Sequence, residues 1–432
     1  MSEARQTERL GDICYIKARI GWRGLSSSEY TEDGPYLIAG QHIRGGQITW
    51  DKCDHITEQR YLESHEIILR FGDVIITKDG TIGRVARIDD LPGDATINGT
   101  MMLVRPLRRL DFRYLYHILN GRDFQKLIDD KVSGSSIPHL FQRDMVELKV
   151  ELPSRDHQSK IAEVLDMLDK AIRETEAVLA KLKAMKQGLL HDLLTRGIDA
   201  NGDLRPSQSE APHLYKQTPL GWLPKEWTIF DLSEVSESII DGPFGSNLKT
   251  AHYVEVPGVR VVRLQNIQDG YFDDTEKAFI CERHAAQLVR NEVMGGDVLI
   301  ASLGDDGHPV GRACLYPPHF DPAINKADCF RFRGNSICKN GYAMLYLNGA
   351  NARRQVRGFE QGVTMKRINL GNLRRIRISL PSVAEQDAIE MRAVAIDAAH
   401  DNVLAEFQKL RLQKIGLMDD LLTGSTSVAP LL

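Results

Sequence analysis

The chain has 432 residues, 42% of them hydrophobic and 26% charged, and its formal net charge is −4. That composition suits a soluble globular protein with material for two or three cores. It lacks an eighteen-residue apolar run and opens on a polar stretch, Met1 to Leu10, so neither a membrane span nor a signal peptide is expected. The cysteines, Cys14, Cys53, Cys281, Cys314, Cys329 and Cys338, form no CxxC pair and no metal-ligand spacing. They read as reduced, buried thiols of a cytoplasmic protein.

In chain order, short β-branched blocks bounded by Gly and Asp come first and predict strands and turns. They are Gln41-His42-Ile43 with Gly46, Gly72-Asp73-Val74-Ile75-Ile76, Gly83-Arg84 and Ile97-Asn98. Residues 111–130, which include Leu119-Asn120-Gly121, predict a helix. Leu152-Pro153-Ser154 then punctuates the start of a much longer one. Along it Ile161, Leu165, Leu168, Ile172, Thr175, Leu179, Leu182, Lys186, Leu189 and Leu193 step by four and three, a coiled-coil seam. Some 34 helical residues would span about 50 Å. The helix closes on His191-Asp192-Leu193-Leu194-Thr195, and Gly197 follows where a left-handed terminal turn wants glycine. Residues 198–224, polar and rich in turn formers, predict a linker.

From Gly221-Trp222-Leu223-Pro224 and Trp227 onward the chain repeats itself. Gln265-Asn266-Ile267 with Gly270 and Gly296-Asp297-Val298-Leu299-Ile300 answer their counterparts at an offset of 224. Gly311-Arg312, Leu347-Asn348-Gly349, Leu380-Pro381-Ser382 and Asp419-Asp420-Leu421-Leu422-Thr423 answer theirs at 228, and Ile324-Asn325 answers Ile97-Asn98. The second seam runs through Ile389, Ala393, Ile396, His400, Val403, Phe407, Leu410, Lys414, Leu417 and Leu421, with Gly424 beyond it. Lys186 and Lys414 share one seam position. Each is either a lysine whose stem lies along the seam with its ammonium in water, or a device that selects register or partner.

The expected fold class is therefore α+β: two pseudosymmetric α/β modules joined by a pair of long antiparallel coiled-coil helices, 156–195 and 384–422. The expected domains are a first module 1–150, a helix 151–197, a linker 198–224, a second module 225–379, a helix 380–424 and a tail 425–432. The first copy lacks a lead-in like Gly221–Trp227, so the repeat is circularly offset and the N-terminus should pack near the C-terminus.

Catalytic signatures are missing. No Gly-Lys dipeptide occurs, which excludes a Walker A loop. Tyr316-Pro317-Pro318-His319-Phe320 lacks the Asn or Asp that an amino-methyltransferase element needs. Asp73 with Lys78 suggests a nuclease pair, yet Asp297 has no nearby lysine, so both aspartates read as turn residues. The histidines show no HExxH or paired ligand spacing, and no metal site is expected.

What the modules do carry is basic and polar loops. Arg105, Arg108, Arg109, Arg113, Arg122 and Lys126 in the first copy, and Arg353, Arg354, Arg357, Lys366, Arg367, Arg374, Arg375 and Arg377 in the second, form clusters able to neutralise phosphates. A solvated charged face would look the same. Loops between matching strands differ between copies, as two modules reading different half-sites would need, although surface loops also diverge without function. Side chains suited to base edges and phosphates are Gln41, Arg44, Lys78, Thr81, Arg84, Ser133, Ser135, Ser136 and His139 in the first copy. In the second they are Lys249, Arg263, Gln265, Asn266, Arg312, Gln361, Thr364, Lys366 and Arg367.

Two modules of about 150 residues, each followed by a Leu-Pro-Ser helix ending in Asp-Leu-Leu-Thr, make a chain that resembles the specificity subunits of type I restriction–modification systems. Gly134-Ser135-Ser136-Ile137-Pro138-His139-Leu140 belongs to the resemblance, whereas Gly362-Val363-Thr364-Met365-Lys366-Arg367 departs from it. The resemblance implies a non-catalytic phage-defence component whose modules are target-recognition domains for a bipartite duplex DNA sequence. It implies helices that space the domains and dock two methyltransferase subunits, with restriction or motor subunits joining through them. S-adenosylmethionine, ATP and Mg would then belong to those partners and not to this chain. A coiled-coil scaffold without DNA contacts, or the specificity component of another phage-defence complex, are the competing readings.

Overall fold

A computed structural model describes residues 6–19, 25–133, 138–243, 245–255 and 258–432. The chain divides into two compact units, one of Met1–Val178 with Val403–Leu432, the other Leu179–Asn402. Each unit thus holds one globular part, half of the helix that follows it, and half of the helix from the other copy. No helix among the described residues is long and apolar enough to cross a membrane.

The globular part of the first unit is built on a four-stranded antiparallel sheet, Cys14–Ala18, Met101–Pro106, Val74–Thr77 and Val85–Arg87 in spatial order. A second, smaller sheet pairs Tyr30–Ile38 with Ala95–Ile97 in parallel and with Asp54–Ile56 in antiparallel fashion. The second unit repeats the four-stranded sheet, and its second sheet keeps the parallel pair within five strands. Its four-stranded sheet runs Ser236–Asp241, Cys329–Gly334, Val298–Ala301 and Ala313–Leu315. Arg260 pairs with Ala323 where Tyr36 pairs with Ala95, which are the 224 and 228 offsets read from the sequence. Val74, Ile75 and Ile76, and likewise Val298, Leu299 and Ile300, are wholly buried, because each central strand is covered on both faces.

The Gly-Asp-Val motif has a structural cause. Asp73 closes a turn by accepting from the Arg70 amide, and both its oxygens accept from Arg105 at 2.7 and 2.8 Å. Asp297 does the same with the Met294 amide and with Arg333 at 2.7 and 2.8 Å. Both carboxylates are buried. The reading of these aspartates as turn residues holds, and a bidentate ion pair adds to it.

The long helices are Arg155–Thr195 and Val383–Thr423. Every seam position named from sequence is buried or half-buried, and between residues 174 and 188 every other position is exposed. In the first unit Ile161 and Leu165 share a core with Leu421, and Lys414 pairs with Asp169 at 2.5 Å. In the second, Leu193 shares a core with Ile389, and Lys186 pairs with Asp397 at 2.6 Å. As one number rises the other falls, so the helical segments run antiparallel in each unit. Each seam lysine meets an aspartate of the opposing helix.

Predicted helix 111–130 is broken into Phe112–Ile118 and Arg122–Ser133, and its counterpart into Asn340–Asn348 and Ala350–Phe359. The break falls at Gly121 and Gly349. A side chain there would press within 2.9 Å of Leu422 and Leu194 respectively, so the glycines seat the leucine that ends the other copy's helix. Gly197 and Gly424 adopt φ of 68° and 79° just past the helix ends, as expected.

Residues 198–224 are folded, which corrects the expectation of a linker. Ile198, Ala211, Tyr215 and Leu223 are buried, Tyr215–Thr218 pairs with Gly221–Pro224, and Arg205 is ion-paired to Glu385. Polar composition misled because a few apolar residues and the ion-paired Arg205 anchor the segment while its turn residues stay largely at the surface. In the first unit Val428 joins the core and Gln6–Arg9 pairs with Lys149–Leu152, so both ends of the chain fold into one unit.

Candidate nucleic-acid interface

In each unit, loops from the ends of the central strands converge. In the first, Thr77 accepts from the Arg84 amide and donates to the Thr81 carbonyl, closing loop 78–83 into a hairpin. The Lys78 amide donates to Thr100, and the Leu140 amide donates to Lys78, tying two further loops alongside. Arg84, exposed, donates to the Gly40 carbonyl at 3.3 Å and so holds the loop that displays Gln41 and Arg44. His42 acts from inside that loop, accepting from the Ala39 amide. Gln41, Arg44, Lys78, Thr81, Arg84 and His139 are therefore gathered on neighbouring loops. Ser133 is exposed at the end of its helix, and Ser135 and Ser136 lie outside the described residues.

The cations in these loops are not free. Asp79 accepts from Lys78 at 2.8 Å and from His139. Burial alone would raise the Asp79 carboxyl, but the bonds from Lys78 and His139 outweigh it and hold the group below its ordinary value. Lys78, Asp79 and His139 thus form a small charge-balanced cluster.

The second unit builds the same cluster from different residues. Ser302 exchanges backbone bonds with Asp328 and Ile368, and Leu303–Gly304 pairs with Lys366–Arg367. Lys366 meets Asp306 at 2.9 Å and Arg367 meets Asp328 at 2.5 Å. Gln361 and Thr364 are exposed nearby, and Gln265 donates to Glu276, which also pairs with Arg263. Lys249 stands apart. Its neighbour is His252, and among the described residues no hydrogen bond or ion pair joins it to these loops.

Two predicted contact residues are corrected. Arg312 is buried and donates to the carbonyls of Ile267, Leu264, Leu303 and His308, at 2.7 to 3.2 Å. Asn266 is buried and donates to Asp273 and Glu276 carbonyls while accepting from the Arg263 amide. Both are spent on holding the loop, as His42 is in the first unit. Gln265 beside them is the displayed residue.

The basic clusters need a larger correction. Arg105 is taken by Asp73, Arg109 by Glu8, Arg113 by Asp111 and Arg122 by Asp419. Arg353 donates to Val310 and Asn348, Arg374 to the Ile239 carbonyl, and Arg375 lies 5.5 Å above the Phe359 ring. Most of these side chains bind their own unit, as most cations of the loops do.

Sequence reasoning missed Gln158 and Gln386. Gln158 accepts from the Asp111 amide and donates to Arg109 and Pro153, and Gln386 treats Lys339, Ile337 and Pro381 identically. Each wholly buried amide fixes its helix start to the globular part. The signal was present: Leu-Pro-Ser is followed four residues later by Gln in both copies. One further cluster, His117, Asp166 and Asp169, brings three possible ligand atoms within 4.8 Å. Arg87 and Lys414 already occupy both carboxylates, which makes it an ion-pair network.

A sequence model described as the type I restriction modification DNA specificity domain matches residues 3–184 and again 224–392. The MjaVIII specificity subunit of Methanocaldococcus jannaschii is 23% identical, over 97% of this chain and 92% of the relative. The EcoBI specificity subunit of Escherichia coli is 22% identical over 67% of this chain and 60% of its own length. Among solved structures, the type I system S subunit from M. genitalium is 14% identical with a TM-score of 0.56, covering 97% of this chain and 96% of that one. A chain from a study of type I R-M complex assembly and conformational transition reaches 0.59 at 17% identity, covering 97% of both. At such identities the structures speak to the fold.

Proposed function

This chain belongs to the family of type I restriction modification DNA specificity domains, and from that premise we propose that it is the recognition subunit of such a system. Each unit reads one half of a bipartite duplex target, and partner subunits carry out methylation and cleavage. The observation that carries this reading is the doubled loop cluster. One scaffold, in one register, displays Gln41, Lys78, Arg84 and His139 in the first unit and Gln265, Gln361, Lys366 and Arg367 in the second. Different polar side chains on equal frames suit two different half-sites. The helices, as a two-stranded antiparallel seam, would set the unread length between half-sites and offer surfaces to methyltransferase subunits. S-adenosylmethionine, ATP and Mg are assigned to those partners, and base extrusion to the methyltransferase.

The carboxylates beside the loop cations have a role in this reading. Asp79, Asp306 and Asp328 keep the cations from scattering into solvent and must yield them to phosphate, which tempers non-specific affinity. The test is exchange of residues 1–150 for the matching module of a relative, followed by genome-wide mapping of methylated sites. One half-site should change while the other half-site and the spacer stay. Change in both halves, or in neither, would overturn the division of labour.

A further inference from the structure

The two repeat copies fix globular part to helix alike through Gln158 and Gln386, but differ beside that joint. In the first unit Asp166 is held by Arg87 at 2.5 Å and by His117 at 2.9 Å, and Arg113 donates to Ser159. Phe112 packs there against Phe71. Through the 228 offset, Arg87, His117 and Asp166 become Leu315, Leu345 and Val394, while Phe112 and Arg113 become Asn340 and Gly341. Five side chains have shrunk or lost their charge.

What remains in the second unit is a cavity of about 690 Å³, with Leu315, Met391 and Val394 as its apolar lining and Lys339, Asp387 and Glu390 as its polar one. Met391 and Val394 are 66% and 60% exposed, which places two large apolar groups side by side in the lining of this cavity. The Glu390 carboxyl lies over Gly341, in the space a side chain would fill. Among the described residues it has neither a hydrogen bond nor an ion pair, since Lys339 is engaged by Asp387 at 3.2 Å. Burial, reinforced by Asp387 and only partly offset by Lys339, pushes the Glu390 carboxyl above its ordinary value. A half-buried acid with no direct ion pair among the described residues, set beside exposed methionine and valine, is complementary to a cation on an apolar stem.

We propose that this cavity docks a segment of a partner subunit in which an apolar side chain lies next to a lysine or arginine, the apolar group on Met391 and Val394 and the cation on Glu390. The proposal rests on the reading above, under which the partner is the methyltransferase subunit. It adds that the two copies of that subunit are held unequally. At the corresponding place in the first unit, Phe112, Arg113 and the Arg87–Asp166–His117 network occupy the ground.

The test uses the full chain co-purified with the methyltransferase subunit encoded beside it, with bound copies counted by native mass spectrometry during dilution. The wild type should carry two copies with unequal dissociation constants. Glu390→Gln, which keeps shape and removes charge, should weaken one of the two about tenfold and spare the other. Val394→Asp should remove one copy, with thermal unfolding unchanged because the position is exposed. A photocrosslinker at Met391 should mark a partner peptide that contains lysine or arginine. Two copies lost together, or both retained in every variant, would overturn the proposal alone. A wild-type chain that binds no methyltransferase subunit would overturn the functional reading and the proposal together.

Discussion

The first unit keeps a charged network where the second keeps an open apolar cavity, on one scaffold and in one register. Arg87, His117, Asp166, Asp169 and Lys414 balance one another, and each depends on the rest. Leu315, Leu345 and Val394 need no partners at all. Both solutions fold because a buried ion network and a set of apolar side chains of similar volume are energetically close, whereas a half-replaced network is not. A repeat can therefore cross from one solution to the other only by changing several residues, and the crossing leaves the second unit with a surface the first does not present.

Breaking the first solution should give the largest effect. Asp166→Val alone takes the hydrogen-bond partner of buried His117 and leaves Arg87 only Asp89, and should cost the first unit about 3 kcal/mol. Adding Arg87→Leu and His117→Leu, which installs the second unit's trio, should recover most of that loss in denaturant unfolding. A triple variant no better than the single would mean the network is not a closed set. Arg312→Ala and Arg84→Ala sharpen the loop comparison. The former removes the buried donor shared by the Ile267, Leu264, Leu303, His308 and Pro309 carbonyls and should cost about 2–3 kcal/mol. The latter should change stability by less than about 0.5 kcal/mol while weakening DNA binding and flattening its salt dependence. Gln158→Ala and Gln386→Ala should each cost about 1–3 kcal/mol, and equally, since their bonds are the same.

Acid should separate the units more gently. Burial, only partly offset by Asp166 and Asp169, holds His117 below its ordinary value. The unfolded chain then binds the extra proton first, so this contribution is whole above about pH 6.5 and is lost as pH falls below it. Glu390 has the opposite sign. Its raised value means that the folded state takes the proton first, so stability declines as pH rises from about 4.5 toward the folded value. Hydrogen exchange between pH 5 and 7 should show residues 112–133 loosening on acidification while residues 340–359 do not. Parallel loosening of both segments would remove His117 as the cause.

Much of this was legible in the chain because it is local or repeated. Seam leucines announce themselves by spacing, helix starts by Leu-Pro-Ser, and the pairing of copies by offsets that the strand registers later reproduce. Gly-Asp-Val was visible as a turn, though its arginine partner, 32 residues further on in the first copy, was not. Charge clusters misled for the same reason. An arginine that will lie against its own unit's carbonyl and one that will face solvent are the same letter.

The amino-acid order by itself determined the duplication, the two long amphipathic helices, the lysine-bearing seam and the family to which the chain belongs. Only the tertiary structure decided that each helix ends on the other copy's glycine, that Arg312 and Asn266 are interior fasteners, and that Glu390 is left facing an open apolar cavity. Periodicity is carried by neighbours a few residues apart, whereas burial is set by segments that meet from hundreds of residues away, and burial is what separates a structural charge from an available one.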